Sequence, residues 1–267
     1  MTPKSLYDEV NVEGAKNVCK VAEEKGIKRI IFTSSVAVYG FAEANTDENG
    51  KFAPFNDYGR TKMLAEQVYK NWYEKEPNKR CLVIVRPTVV FGEQNRGNVY
   101  NLLNQIAKGR FIMIGNGQNK KSMAYVENVA AFLEHCLSFG PGLHIYNYVD
   151  KPDFTMNELV HTVRHILSPH FVSVHLRSVH FVGGINLRIP YPLGYLAGKL
   201  FDLASLITGK KFPISSIRIK KFCSTTQFET SVSKTGFIPP VPLKEGLTRT
   251  IRYEFLDKTI GETFYTE

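Results

Sequence analysis

Apolar residues recur along this 267-residue chain with two alternating periods. Over residues 5–25, Val10, Val12, Ala15, Val18, Val21 and Ala22 fall at helical spacing, and Gly26 stands where a left-handed residue would close the helix. Residues 29–34 form a short, β-branched apolar run, the pattern of a strand buried on both faces of a parallel sheet. Residues 42–57 are polar and carry Asn, Asp, Gly and Pro, so they predict a loop. A helix is predicted over 58–74 and a strand over 81–86, stopped by Pro87. Further on, the spacing predicts a helix over 98–108 closed by Gly109, a strand over 111–114, a helix over 126–137 and a strand over 143–148. Such alternation predicts an α/β fold built on a doubly wound parallel sheet. From Asp150 onwards the pattern breaks into shorter units, which divides the chain into 1–149 and 150–267.

Composition adds limits to this picture. An apolar fraction of 43% with 22% charged residues is ordinary for a globular chain and excludes disorder. The four cysteines, Cys19, Cys81, Cys136 and Cys223, are scattered with no CxxC pair, which predicts reduced, mostly buried thiols. There is no secretory signal pattern and no apolar run long enough to span a bilayer.

The candidate chemistry lies in FTSSVAVYG and YGRTK. Tyr58 and Lys62, four residues apart, share one face of the predicted helix. A phenol with a pKa near 10 is a poor base, and an ammonium held beside it favours the phenolate. Ser35 supplies a hydroxyl able to hydrogen-bond the same substrate oxygen. The three side chains predict machinery for moving a proton on and off a carbinol while a hydride is transferred at its carbon.

Five runs appear in a familiar order: NVEGAKNV (11–18), TSSVAVYG (33–40), YGRTK (58–62), RPTVVFG (86–92) and KSMAYVENVAAF (121–132). With them the chain resembles the extended short-chain dehydrogenase/reductases that act on nucleotide sugars, over nearly its whole length. The resemblance implies a Rossmann-like domain that binds NAD, and a smaller substrate-binding lobe interleaved with it from about residue 150. It implies Ser35, Tyr58 and Lys62 as the catalytic residues. Thr33, Ser34, Tyr58, Lys62, Pro87 and Val89 would meet the cofactor. Ser35, Asn98, Lys121, Arg218 and Lys221 would meet the substrate, Lys220 being a third candidate beside Arg218 and Lys221. Lys121 and Ser122 stand where relatives have Arg and Asp, so the diphosphate geometry is expected to differ. The family's opening strand and GxxGxxG turn have no counterpart here. The chain thus looks like a member without its first strands and helices, expected to bind NAD weakly and to associate through an exposed strand edge.

Within that family, NRGNVYNLL (95–103), YNYVDKPD (146–153) and ITGKKFPISSIRIKKFCSTTQF (207–228) resemble the branch acting on a lipid-linked sugar diphosphate. This implies NAD-dependent 4-epimerisation of N-acetylglucosaminyl-diphospho-undecaprenol to its galacto epimer, for surface polysaccharide such as lipopolysaccharide. It implies a homodimer, cytoplasmic and peripheral at the inner face of the cell membrane. The alternatives are a 4-epimerase of UDP-N-acetylglucosamine or UDP-glucose, or an inactive piece without cofactor binding.

Charge bears on the same question. Of the net +9, most comes from residues 170–221, where eight Lys and Arg face a single acid, Asp202. The same stretch holds the apolar run PLGYLAGKLFDLASLIT, a combination suited either to an anionic membrane surface or to a buried helix with a solvated basic rim. No nucleic-acid reader motif accompanies the basic charge. His161 and His165 have helical ligand spacing but no third ligand, so no metal site is expected.

Overall fold

The structure, a computed structural model, describes residues 4–174, 188–209 and 215–257. In chain order its strands are β1 (Arg29–Thr33), β2 (Cys81–Pro87), β3 (Val89–Phe91), β4 (Met113–Ile114), β5 (Lys120–Tyr125), β6 (Gly142–Tyr148), β7 (Asp150–Thr155) and β8 (Arg188–Ile189). Its α-helices are α1 (Lys4–Tyr7), α2 (Gly14–Glu24), α3 (Asp57–Glu74), α4 (Asn98–Ala107), α5 (Val126–His135), α6 (Met156–Val174), α7 (Tyr191–Thr208), α8 (Ser216–Cys223) and α9 (Leu243–Phe255). The chain divides into two compact units: residues 1–90, 122–151 and 227–243 make the first, and residues 91–121, 152–226 and 244–267 the second.

The first unit is organised by β2. It pairs in parallel with β1 on one side and β6 on the other, in the order β1-β2-β6. Leu82, Val83, Ile84 and Val85 have no exposed surface. Because successive strand side chains point to opposite faces, Leu82 and Ile84 join Ala15, Cys19, Ala22, Ala65, Tyr69 and Trp72 of α2 and α3. Cys81, Val83 and Val85 join Ala124, Val129, Phe132, Cys136 and Tyr148 on the other face. The uninterrupted apolar run therefore reflects helices on both faces, each large side chain contributing roughly 1.5–3 kcal/mol by burial.

Some expectations change. β1 lies at the edge of the described sheet β1-β2-β6; Ile30 and Phe32 pack on one face and Ile31 on the other, but only Ile30 is buried and Arg29 and Thr33 are exposed. β2 runs one residue further than expected and terminates with Pro87 as its last residue, where no N–H is needed for the ladder. The first helix is interrupted by a π-helical turn, Asp8–Glu13, and Gly26 follows its end with φ +64° as the pattern required. The region after Asp150 is not made of shorter units: α6 and α7 have 19 and 18 residues. α7 is apolar around most of its circumference, so it lacks the periodicity that marks a helix.

In the second unit β4 pairs in parallel with β8, α4 packs on α6, and α7 packs on α8. A further sheet, of order β3-β5-β7, is formed by strands in which the chain passes from one unit to the other. Cys19, Cys81 and Cys136 are buried, and burial pushes the Cys19 thiol up to about 11 and that of Cys136 to about 12. Among the described residues no helix is long and apolar enough to cross a membrane.

Candidate active site

The site of the first unit is built where β1 and β2 end. Ser34 donates its backbone N–H to Val85 O at 2.7 Å, carrying the ladder one residue past β1. Ser35 is extended and caps a 3-10 turn, Val36–Tyr39, its Oγ accepting from the Ala37 N–H at 3.1 Å. α3 starts against this turn, capped by Asn56 Oδ1, which accepts from the Gly59 N–H at 2.9 Å. The approach requires glycine: a Cβ on Gly59 would lie 2.4 Å from the Ala37 carbonyl oxygen. Tyr58 thereby enters the first turn of α3 beside Ser35, and Lys62 follows one turn later.

The structure brings together the three side chains expected to do chemistry. The Ser35 hydroxyl is near enough to the Tyr58 phenol to favour its ionised form, and Lys62 donates from Nζ to Thr33 O at 3.1 Å. The ammonium also lies 5.9 Å from the Tyr58 ring centroid and 5.1 Å from that of Phe32. Tyr7 meets Tyr58 edge to face, at 6.3 Å. The electrostatics differ from the simple expectation. Burial lifts the Tyr58 phenol above its ordinary value, the Ser35 hydroxyl only partly offsetting it. Burial also lowers Lys62 below its ordinary value. Desolvation therefore sets the direction at both groups.

Beneath these residues runs a buried polar network that sequence reading missed. Glu66, one turn beyond Lys62 on the same face of α3, accepts from Ser34 Oγ at 2.6 Å. It also takes both Nε and Nη2 of Arg86, at 2.9 and 2.7 Å. Both partners are 1% exposed. Arg86 further donates to the Tyr39 hydroxyl at 2.6 Å and to Glu48 O at 3.0 Å, and Tyr39 donates to Asn147 Oδ1 at 2.8 Å. Burial alone would lower the Arg86 guanidinium, but pairing with Glu66 holds it above its usual value. The helix carrying Tyr58 and Lys62 is thus keyed to the strand ends carrying Ser34 and Ser35. Two signals in the sequence pointed there: Glu66 continues the four-residue spacing from Tyr58 and Lys62, and Arg86 breaks an otherwise apolar strand.

The ends of β1 and β2 fit the nicotinamide-ribose part of the expected NAD. Thr88, just past β2, keeps Oγ1 buried with no hydrogen-bond partner. Pro87 is buried, Val89 is partly exposed, Ser34 is buried in its bond to Glu66, and Thr33 is exposed with its carbonyl on Lys62. A ligand hydroxyl or amide would satisfy Thr88, and the Lys62 ammonium suits a ribose hydroxyl. The 267 residues contain no glycine-rich turn for the pyrophosphate.

The residues expected to meet the diphosphate lie in the second unit. Asn98 is exposed at the start of α4. Lys121 donates from Nζ to Ser224 O at 2.6 Å and Lys221 O at 3.1 Å, capping the C-terminal end of α8, and burial lowers its ammonium to about 8. Its charge is engaged by backbone carbonyls. Arg218 and Lys221 are exposed on α8. A cavity of about 750 Å³ is lined by Ile114, Asn116, Asn119, Arg188, Tyr191 and Lys220 among others. Of the three basic side chains of α8 that the sequence left open, Lys220 is the one that lines it. His161 and His165 stack at 6.4 Å, and no group of three metal-ligating side chains occurs among the described residues.

Comparison with known proteins bears on family and fold. The chain is 52% identical over 270 residues to the N-acetyl-alpha-D-glucosaminyl-diphospho-ditrans,octacis-undecaprenol 4-epimerase of Escherichia coli O157:H7, covering 100% of this chain and 78% of that protein. It is 28% identical over 257 residues to the UDP-glucose 4-epimerase of Vibrio cholerae, covering 93% of this chain and 70% of that one. The crystal structure of UDP-glucose 4-epimerase with UDP-glucose from Thermotoga maritima superposes with a TM-score of 0.64 at 18% identity, over 92% of this chain and 69% of that one, which shows a shared fold. The family model of NAD dependent epimerases and dehydratases matches residues 1–148. With a model matching more than half its length and a fold to agree, the chain belongs to the NAD dependent epimerase/dehydratase family.

Proposed function

We propose that the protein catalyses NAD-dependent 4-epimerisation of a diphosphate-linked N-acetylhexosamine, the substrate being N-acetylglucosaminyl-diphospho-undecaprenol. The observation that carries the chemistry is the convergence of Ser35, Tyr58 and Lys62 at the ends of β1 and α3. The whole-length 52% identity to an enzyme named for that substrate supports its choice. NAD, when bound, supplies the hydride acceptor and donor at C4 of the sugar. Tyr58 takes the proton of the C4 hydroxyl and returns it after the keto sugar has presented its other face. Ser35 holds the same oxygen by hydrogen bond. Lys62 steadies the phenolate as it forms, its own charge fixed by the Thr33 carbonyl. Thr33, Ser34, Pro87 and Val89 border the nicotinamide end, and Thr88 Oγ1 offers it a partner.

The cavity lined by Arg188 and Lys220 is the reading's diphosphate site; Asn98, Arg218 and Lys221 do not line it and enter the reading as further substrate contacts. Lys121 acts there indirectly, by holding the end of the helix that carries Lys220. The enzyme works as a homodimer, peripheral at the cytoplasmic face of the cell membrane, in lipopolysaccharide assembly. Tyr58→Phe should lower turnover by about 10²–10⁴-fold with the fold intact; near-normal epimerisation would sink the assignment. Side-by-side assays with the undecaprenyl-linked and UDP-linked sugars test the substrate. Preference for the UDP sugar would favour the second reading, a nucleotide-sugar 4-epimerase.

A further inference from the structure

α7 turns its small residues inward and its large apolar ones outward. Gly194 and Gly198 are its buried residues, and they are small by necessity. A Cβ on Gly194 would meet Ile114 Cγ2 at 2.7 Å, and one on Gly198 would meet the Ser216 backbone at 2.8 Å. On the opposite side Leu193, Leu196, Leu200, Leu203 and Ile207 are all more than half exposed, Ile207 at 76%. At 3.6 residues per turn these five fall within roughly 80° of arc, a continuous stripe. Single exposed leucines need no explanation, whereas a stripe of five with Leu206 at 82% beside it does.

The surrounding charge selects what covers the stripe. Lys199 stands on α7 itself, over the Tyr195 ring at 5.7 Å, and Arg218, Lys220 and Lys221 are exposed on α8, which packs against α7. Arg188 lies three residues ahead of the helix. The acid of this region, Asp202, is turned to the Ser216 N–H at 3.2 Å, tying α7 to α8. A second copy of the chain, docked stripe to stripe, would bring two cationic rims together. An anionic bilayer complements the same arrangement, leucines entering the interface and lysines meeting lipid phosphates.

We infer that α7 is an interfacial helix that seats its Leu193–Ile207 stripe in an anionic phospholipid surface. The inference deepens the lipid-linked reading of the substrate, on which its purpose rests: Tyr191 is both the first residue of α7 and part of the cavity that holds Lys220 and Arg188. A sugar diphosphate whose lipid tail stays in the bilayer then meets the cavity at the membrane surface.

Flotation of the intact protein with vesicles tests it without substrate. Wild type should float with vesicles of phosphatidylglycerol and phosphatidylcholine, less so at high salt, and poorly with phosphatidylcholine alone. Leu200→Glu with Leu203→Glu should weaken flotation by at least about tenfold, since two leucines leave the interface. Unchanged circular dichroism and unchanged turnover of a water-soluble, short-tailed sugar diphosphate should confirm that the variant is folded. Failure of the wild type to float overturns the inference, as does equal flotation of the variant. A wild-type dimer that the double substitution dissociates, with no vesicle binding, would assign the stripe to a second copy. Turnover of neither soluble nor lipid-linked sugar would overturn the functional reading alone, the flotation comparison still deciding the docking.

Discussion

α3 and α7 are both 18 residues long, and they use their apolar side chains in opposite ways. α3 is the more polar in sequence, yet it buries Ala65, Tyr69 and Trp72 against β2 and even takes the carboxylate of Glu66 inside. α7 is far richer in leucine, yet it presents glycines to its neighbours and leaves its leucines outside. What a helix buries is decided by what approaches it. A strand of the central sheet approaches α3, with side chains of its own to interdigitate. Helix α8 approaches α7 so closely that only Gly fits at position 198. The leucines of α7 are therefore surplus to folding, which makes them available for something else.

This contrast can be broken by substitution. The largest effect should come from Glu66→Ala, which leaves the Arg86 guanidinium charged and buried without its carboxylate. A loss of about 3–5 kcal/mol in chemical denaturation is expected, and a loss under about 1 kcal/mol would show that the network does not hold α3 to the strand ends. Gly198→Val, on the inner side of α7, should cost about 1–3 kcal/mol, because the new side chain meets backbone rather than a movable side chain. A neutral result there would mean that α7 is not seated tightly on α8. The smallest effect should be that of Leu203→Ala, within about 0.5 kcal/mol of wild type in the absence of lipid. A core-sized loss would show that the stripe is covered in the folded protein and would remove the basis of the contrast.

Much of the proposed catalytic centre was legible beforehand because it is local. Tyr58 and Lys62 are related by one helical turn, a relation that any helix imposes. Ser35 was singled out from its neighbours Thr33 and Ser34 only by the resemblance of TSSVAVYG to the family pattern. Glu66 and Arg86 were not, since a glutamate on a helix is usually solvated and only the fold shows that β2 passes behind it. The role expected of Lys121 also looks different in the structure. The residue type suggested a group free to meet a diphosphate, whereas its position beside the end of α8 commits its ammonium to carbonyl oxygens. The region after Asp150 read as short units because periodicity needs contrast between faces, and α7 has little.

The sequence by itself determined the alternation of helix and strand, the parallel sheet and the one-turn relation between Tyr58 and Lys62. Each follows from spacing along one element, which the backbone repeats wherever it folds the same way. Only the tertiary structure decided that Tyr58 sits above rather than below its ordinary pKa, that Arg86 and Glu66 neutralise each other in the core, and that α7 keeps its leucines outside. Those outcomes depend on desolvation and on which surfaces meet, and both are set by residues far apart in the chain.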